Sequence, residues 1–148
     1  MLYTVGEMAK RMGVSASTLR YYDQEGLLPF VERSSGGMRM FKESDYEWLK
    51  IIECLKKTGM PLKDIRGFIL MAIEGDATID ARLELIIKQQ KAVQEQLDEL
   101  RETLETLDFK RWYYETAKRA GTTDVPRSMT LDELPERFRE TRKRLRGE

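Results

Sequence analysis

Three groups of residues have types and spacing suited to chemistry. Ser17, Thr18, Arg20 and Tyr21 fall within five positions. Arginine can bond bidentately to a guanine edge, and Ser, Thr and Tyr can reach phosphate oxygens. Arg39 and Lys42 lie some twenty residues further on and could clamp a phosphate backbone beside a groove. Cys54 is the single cysteine. Lys50 and Lys57, at helical spacing, can approach its thiol and favour thiolate, while Glu47 and Glu53 oppose this. A buried structural thiol among Ile51, Ile52 and Leu55 is the alternative. A third cluster, Phe109, Trp112 and Tyr113, with Tyr114 beside it, suits core packing or a small apolar ligand.

Other chemistries are excluded by composition. The chain has no histidine and one cysteine, so neither a zinc site nor an intrachain disulfide is expected, and no cofactor either. Cys54 lacks an imidazole base, and the paired carboxylates of the later sequence fall on solvent positions, so the chain is not expected to be an enzyme. Lys and Arg total 26, as do Asp and Glu. Bulk charge therefore does not argue for nucleic acid, and any basic footprint must come from placement. The N-terminus lacks the basic and apolar regions of a signal peptide, and no run is long enough to span a membrane. A cytoplasmic protein is expected.

The elements that must hold these residues are legible from local signals. Thr4-Val5-Gly6-Glu7 has capping-box spacing and opens a short helix that Gly13 stops. Ser15 caps the next helix, which carries Ser17 to Asp23 and ends at Gly26, with Leu19 and Tyr22 packing inward. Two short helices so closely joined must fold back as a helix-turn-helix. Phe30–Arg33 and Met38–Phe41 flank Ser34-Ser35-Gly36-Gly37, which reads as a hairpin wing. Ser44 or Asp45 opens a third helix with Tyr46, Leu49, Ile52 and Leu55 on its apolar stripe. A fourth follows Pro61, with Ile65, Phe68, Ile69 and Ala72 inward.

After Gly75 the period changes. Leu83, Ile86, Gln90, Val93, Leu97, Leu100, Leu104 and Leu107, then Arg111 and Tyr114, recur at steps of three and four. This heptad seam extends roughly 48 Å at 1.5 Å per residue. A lone helix would leave its leucines wet, so it predicts a homodimer. Beyond Gly121, Thr130-Leu131-Asp132-Glu133 is a second capping box, opening a short helix crossed by Pro135. That arginine-rich tail is expected to be partly frayed or disordered. Packing on the coiled coil, phosphate binding and simple solvation are all open to it.

The expected fold is therefore mainly α: a winged helix-turn-helix DNA-binding domain (1–75), a linker and coiled-coil dimerisation helix (76–120), and a short C-terminal helical extension (121–148). The expected partners are double-stranded DNA and a second copy of the chain. A structural coiled-coil adaptor without specific DNA binding is the rival.

Together these segments resemble the MerR family of bacterial transcription regulators. The match lies in Tyr3–Ala9, Gly13-Val14-Ser15, Thr18–Asp23, Gly26–Pro29, Arg33, Gly37, Arg39 and Phe41, then Asp45, Leu49, Ile52, Leu55, Gly59, Leu62 and Ile65. The resemblance implies a homodimer joined by an antiparallel coiled coil. It also implies binding to a palindromic operator in a promoter spacer, distorted so that RNA polymerase engages both promoter elements. On it, Thr18, Arg20 and Tyr21 contact DNA from the recognition helix and Arg39 from the wing. Glu53–Met60, Gly75–Arg82 and Glu84-Leu85 are similar to the branch associated with alcohol or formaldehyde dehydrogenase genes and aldehyde or nitrosative stress. In that branch a cysteine at the place of Cys54 responds to electrophiles. Met40 stands where the branch more often carries an acidic residue.

Overall fold

A computed structural model describes residues 1–148. The chain divides into two compact units, Met1–Val93 and Gln94–Glu148, with one helix continuous through both.

In the first unit, β1 (Leu2–Thr4) leads directly into α1 (Val5–Met12). The capping box forms as the spacing requires: the Glu7 amide donates to Thr4 Oγ1 at 3.3 Å, and Glu7 Oε2 accepts from the Thr4 amide at 2.7 Å. Gly13, at φ 72°, ends α1 in the left-handed region. Ser15 then caps α2 (Ala16–Gln24), its Oγ accepting from the Thr18 amide at 3.2 Å. The wing strands are β2 (Glu32–Arg33) and β3 (Arg39–Lys42). Between them the Ser34 amide donates to the Met38 carbonyl at 2.8 Å, and Gly37 takes φ 79°.

The wing is more than a hairpin. β1 pairs antiparallel with β3, Tyr3 opposite Phe41, and gives a three-stranded sheet of order β1-β3-β2. The third strand solves the stability problem of a two-stranded ribbon, because it is continuous with α1 and buries Phe41 against the helices. Helix α3 (Glu43–Lys57) begins earlier than the expected Ser44 or Asp45. Asp45 lies inside its first turn, where the buried carboxylate accepts from the Lys42 amide at 2.7 Å. Leu49, Ile52 and Leu55 of α3 and Ile65, Phe68 and Ile69 of α4 (Leu62–Glu74) share one core with Met8, Met12, Leu19 and Tyr22. Leu85, from the start of the next helix, packs against it.

A 3-10 turn, Asp76–Thr78, connects α4 to α5 (Ile79–Ala120). Thr78 is buried and its hydroxyl donates to the Gly75 carbonyl at 2.8 Å. The 42 residues of α5 extend roughly 63 Å.

The second unit contains the later part of α5, α6 (Asp124–Ser128) and α7 (Glu136–Arg146). Two expectations are corrected here. Half of the Thr130–Glu133 box forms, with the Thr130 amide donating to Glu133 Oε2 at 2.6 Å, and it closes a turn, not a helix. Proline has no amide to donate and disfavours helix in the residue before it, so α7 starts only after Pro135. The tail is also not frayed. Phe138, Thr141 and Arg142 are buried, and Phe138 packs with Leu134 on Phe109 and Trp112 of α5. Arg144 reaches Glu102, its Nε lying 2.9 Å from the carboxylate. Packing on the long helix, one of the three roles open to the tail, is present.

Candidate nucleic-acid interface

The core decides which face α2 presents. Leu19 and Tyr22 are buried against α1 and α3, which leaves Ser17, Arg20 and Tyr21, spaced by three and four, exposed together. Thr18 is half-buried, with its hydroxyl engaged to Ser15 Oγ at 2.9 Å.

The wing lies against the end of this helix through charge. Asp23 accepts from Arg39 Nε at 2.7 Å and from Arg33 Nη2 at 3.0 Å. Arg33 Nη1 also donates to the Gly37 carbonyl at 3.0 Å, stiffening the turn. Arg20 and Arg39 consequently line one cleft of about 290 Å³ with Thr4, Val5, Gly37 and Met38. The cleft holds two guanidiniums and no acid. Arg39 has a divided role there, since both Nε and Nη2 lie on Asp23 Oδ2. Lys42 is likewise engaged: its ammonium pairs with Glu32 across the wing, which raises its pKa.

Residues from a third element form a separate concavity on α2. Lys56 and Lys57, from the end of α3, line a second concavity of about 380 Å³ with Thr18, Tyr22 and Glu53. Lys56 Nζ stands 5.2 Å from the Tyr22 ring centroid. Neither lysine, nor Asp23 as the anchor of the wing, can be found by spacing, because each acts on residues far away in sequence. Their only signal is that charge clusters after folding. Although the unit is almost neutral, cations line two separate clefts along α2, Arg20 and Arg39 in one and Lys56 and Lys57 with Glu53 in the other.

The thiol of Cys54 is exposed, which removes the buried structural reading. Lys50 is not free to attend it. Its ammonium lies 3.9 Å from Glu53. Phe109 and Trp112 stack at 6.1 Å and are covered by Phe138, so this part of the aromatic cluster is packing. No group of three or more His, Cys, Asp or Glu side chains is placed to hold a metal ion. No helix is long and apolar enough to cross a membrane.

Two short helices joined through Gly13, with a sheet wing tied to the second, define a winged helix-turn-helix module of the kind that transcriptional regulators use to bind DNA. The chain belongs to the MerR family of such regulators. Residues 3–71 match the model of the MerR HTH family regulatory protein, and residues 46–108 that of the MerR DNA-binding region. An uncharacterized HTH-type transcriptional regulator of Haemophilus influenzae is 44% identical over 136 residues, covering 92% of this chain and 98% of that protein. The regulator AdhR of Bacillus subtilis is 33% identical over 87 residues, covering 59% of this chain and 62% of its own. The crystal structure of HiNmlR, a MerR family regulator lacking the sensor domain, bound to promoter DNA, is 46% identical, with a TM-score of 0.75 over 84% of this chain and 99% of that one. These relatives are transcriptional regulators and not enzymes, in keeping with the expectation for this chain.

Proposed function

We propose that the chain acts as a cytoplasmic homodimer on a palindromic promoter operator, each copy setting α2 in a major groove and its wing on the adjoining backbone. Residues 1–75 read DNA, residues 76–120 pair the copies, and residues 121–148 form an extension packed on the long helix. The observation that carries this reading is the shared cleft of Arg20 and Arg39. Ser17, Thr18 and Tyr21 supply neighbouring donors and acceptors, and Lys42 supplements them once it leaves Glu32. The binding of HiNmlR to promoter DNA supports the same assignment for a chain 46% identical to it.

Pairing is supported by α5, which carries two different apolar stripes. One stripe, through Thr106, Phe109 and Tyr113, faces α6 and α7. The other, through Leu83, Ile86, Leu97, Leu100, Leu104 and Leu107, is exposed along one protomer, with Gln90 and the half-buried Val93 between. Isolated exposed leucines are ordinary, but a seam at heptad spacing is what a second helix covers. Two subunits also double the phosphate contacts, which suits a domain of small net charge. In this reading RNA polymerase engages the promoter that the dimer distorts.

The test is a gel shift with operator DNA selected from genomic fragments, repeated across a salt series. A regulator loses affinity steeply as salt rises. Absence of a specific shift at every salt concentration overturns the proposal and leaves a coiled-coil adaptor.

A second reading concerns the signal. The exposure of Cys54, with the resemblance of its surroundings to the aldehyde-stress branch, supports a response to electrophiles through this thiol. With one cysteine per chain, modification gives an adduct, a mixed disulfide or an intersubunit link. Cys54→Ser then abolishes induction by aldehydes and thiol-reactive compounds in a reporter strain. Unchanged induction overturns this part alone.

A further inference from the structure

The second unit holds a cavity of about 220 Å³ whose charge is one-sided. Phe109, Tyr113, Pro126 and Leu145 form its apolar walls. Lys110, Arg127, Arg142 and Arg146 complete the lining, and no carboxylate belongs to it. Only Arg127 has an acid partner, Asp124. The Lys110 ammonium rests 4.7 Å from the Tyr113 ring centroid. Arg146 gives one Nη2 hydrogen to the Arg127 carbonyl at 3.3 Å.

Arg142 is the unusual member. It is 7% exposed, pairs with no carboxylate, and donates through Nη1 to the Met129 carbonyl. Its Nε is the one buried side-chain polar atom in the chain without a hydrogen-bond partner. The Glu133 carboxylate feels its charge but does not pair with it, and a buried cation without an ion-pair partner is costly, as is a buried donor left unmade. An anion in the adjoining cavity offsets that charge.

Size and wall chemistry narrow the class. A dry cavity of roughly 150 Å³ accepts a benzene ring, so 220 Å³ accommodates one ring with a small substituent. A neutral apolar molecule leaves the guanidinium without an ion-pair partner. Inorganic phosphate leaves the aromatic walls uncontacted. We propose that this cavity is a binding site for a small aromatic carboxylate, its ring seated among Phe109, Tyr113 and Pro126 and its carboxylate bound by Arg142, with Lys110 and Arg146 at the mouth. Nothing in this assignment depends on DNA binding.

The test is calorimetric titration of the full-length protein with benzoate, with benzyl alcohol and inorganic phosphate as comparisons. Benzoate is expected to bind saturably at one site per chain, at least about tenfold more tightly than either comparison. Lys110→Gln and Arg146→Gln, both at exposed positions, are expected to weaken it severalfold each, and Arg142→Lys more. Circular dichroism checks that Arg142→Lys remains folded, and if it does not, the double variant Lys110→Gln/Arg146→Gln decides. Absence of saturable benzoate binding at concentrations up to about 10 mM overturns the proposal. So does equal binding of benzyl alcohol, or full retention of benzoate affinity in the folded charge variants.

Discussion

Asp23, the penultimate residue of α2, accepts the Nε hydrogen of Arg39 on β3 at 2.7 Å, with about a fifth of each side chain exposed. Recognition helix and wing are thereby joined by a charge-assisted bond, and Arg33 adds a second to the same carboxylate oxygen. This places an acid near the surface proposed to meet DNA phosphates. Its effect is positional: it sets the spacing of Arg20 and Arg39 across their cleft.

Asp23→Asn tests that relationship. A hydrogen bond to a charged group contributes about 1.5–3 kcal/mol, less where water reaches it. The variant is expected to lose about 1 kcal/mol in urea unfolding. Operator affinity should fall about tenfold although a negative charge has been removed. Tighter operator binding would show that the carboxylate only repels DNA and positions nothing.

Arg20 is exposed and makes no ion pair within its own chain, so its removal should separate binding from stability. Arg20→Ala is expected to change unfolding free energy by less than about 0.5 kcal/mol. It should weaken operator binding by about 1–3 kcal/mol if the guanidinium reads a base edge. Arg20→Lys distinguishes the contacts. It keeps a phosphate-binding charge but loses the fork, so the salt slope should persist while discrimination between operator and random DNA falls. Equal gel-shift affinity for Arg20→Ala and the parent chain rules out the contact.

Much of this surface was legible because its signals are local. The capping box from Thr4 to Glu7, the stop at Gly13, the cap at Ser15 and the Ser34–Gly37 turn each depend on residues within four positions. β1 was not legible: three residues become a strand only because Phe41 and its neighbours, some forty positions away, pair with them. The grip of Asp23 on Arg39 and the arrival of Lys56 and Lys57 beside Thr18 are likewise products of folding. At the C-terminus the local signal misled. Thr130 and Glu133 have capping-box spacing, but Pro135 prevents propagation, and α6, five residues with Pro126 in the middle, carries no periodicity to read.

The two stripes of α5 should respond oppositely to substitution. Leu100 and Leu104 are exposed in a single chain, so Leu100→Glu/Leu104→Glu should leave the protomer folded and abolish pairing. Phe138 is buried against Phe109 and Trp112, so Phe138→Ala should cost about 3–5 kcal/mol within the protomer and leave association unchanged at temperatures where it stays folded. Sedimentation velocity with circular dichroism checks both. A dimer that survives the leucine pair assigns association to another surface.

Acid should unfold the first unit through opposing carboxylates. Glu43 accepts from Arg11 Nη1 at 2.7 Å and from the Tyr3 hydroxyl at 2.8 Å, which together hold its pKa at about 2 against an ordinary 4.5. A carboxyl with a depressed folded-state pKa stabilises fully above its unfolded pKa, and that contribution disappears as pH falls from about 4.5 to about 2. Burial shifts Asp45 the other way, raising its pKa despite the hydrogen bond from the Lys42 amide. Protonation of Asp45 therefore favours the folded chain and offsets part of the loss at Glu43. Urea titrations from about pH 5 down to about pH 2 should show a shallower decline for Glu43→Gln than for the parent chain, and a steeper one for Asp45→Asn. Identical slopes in all three proteins would mean that neither carboxylate governs acid stability.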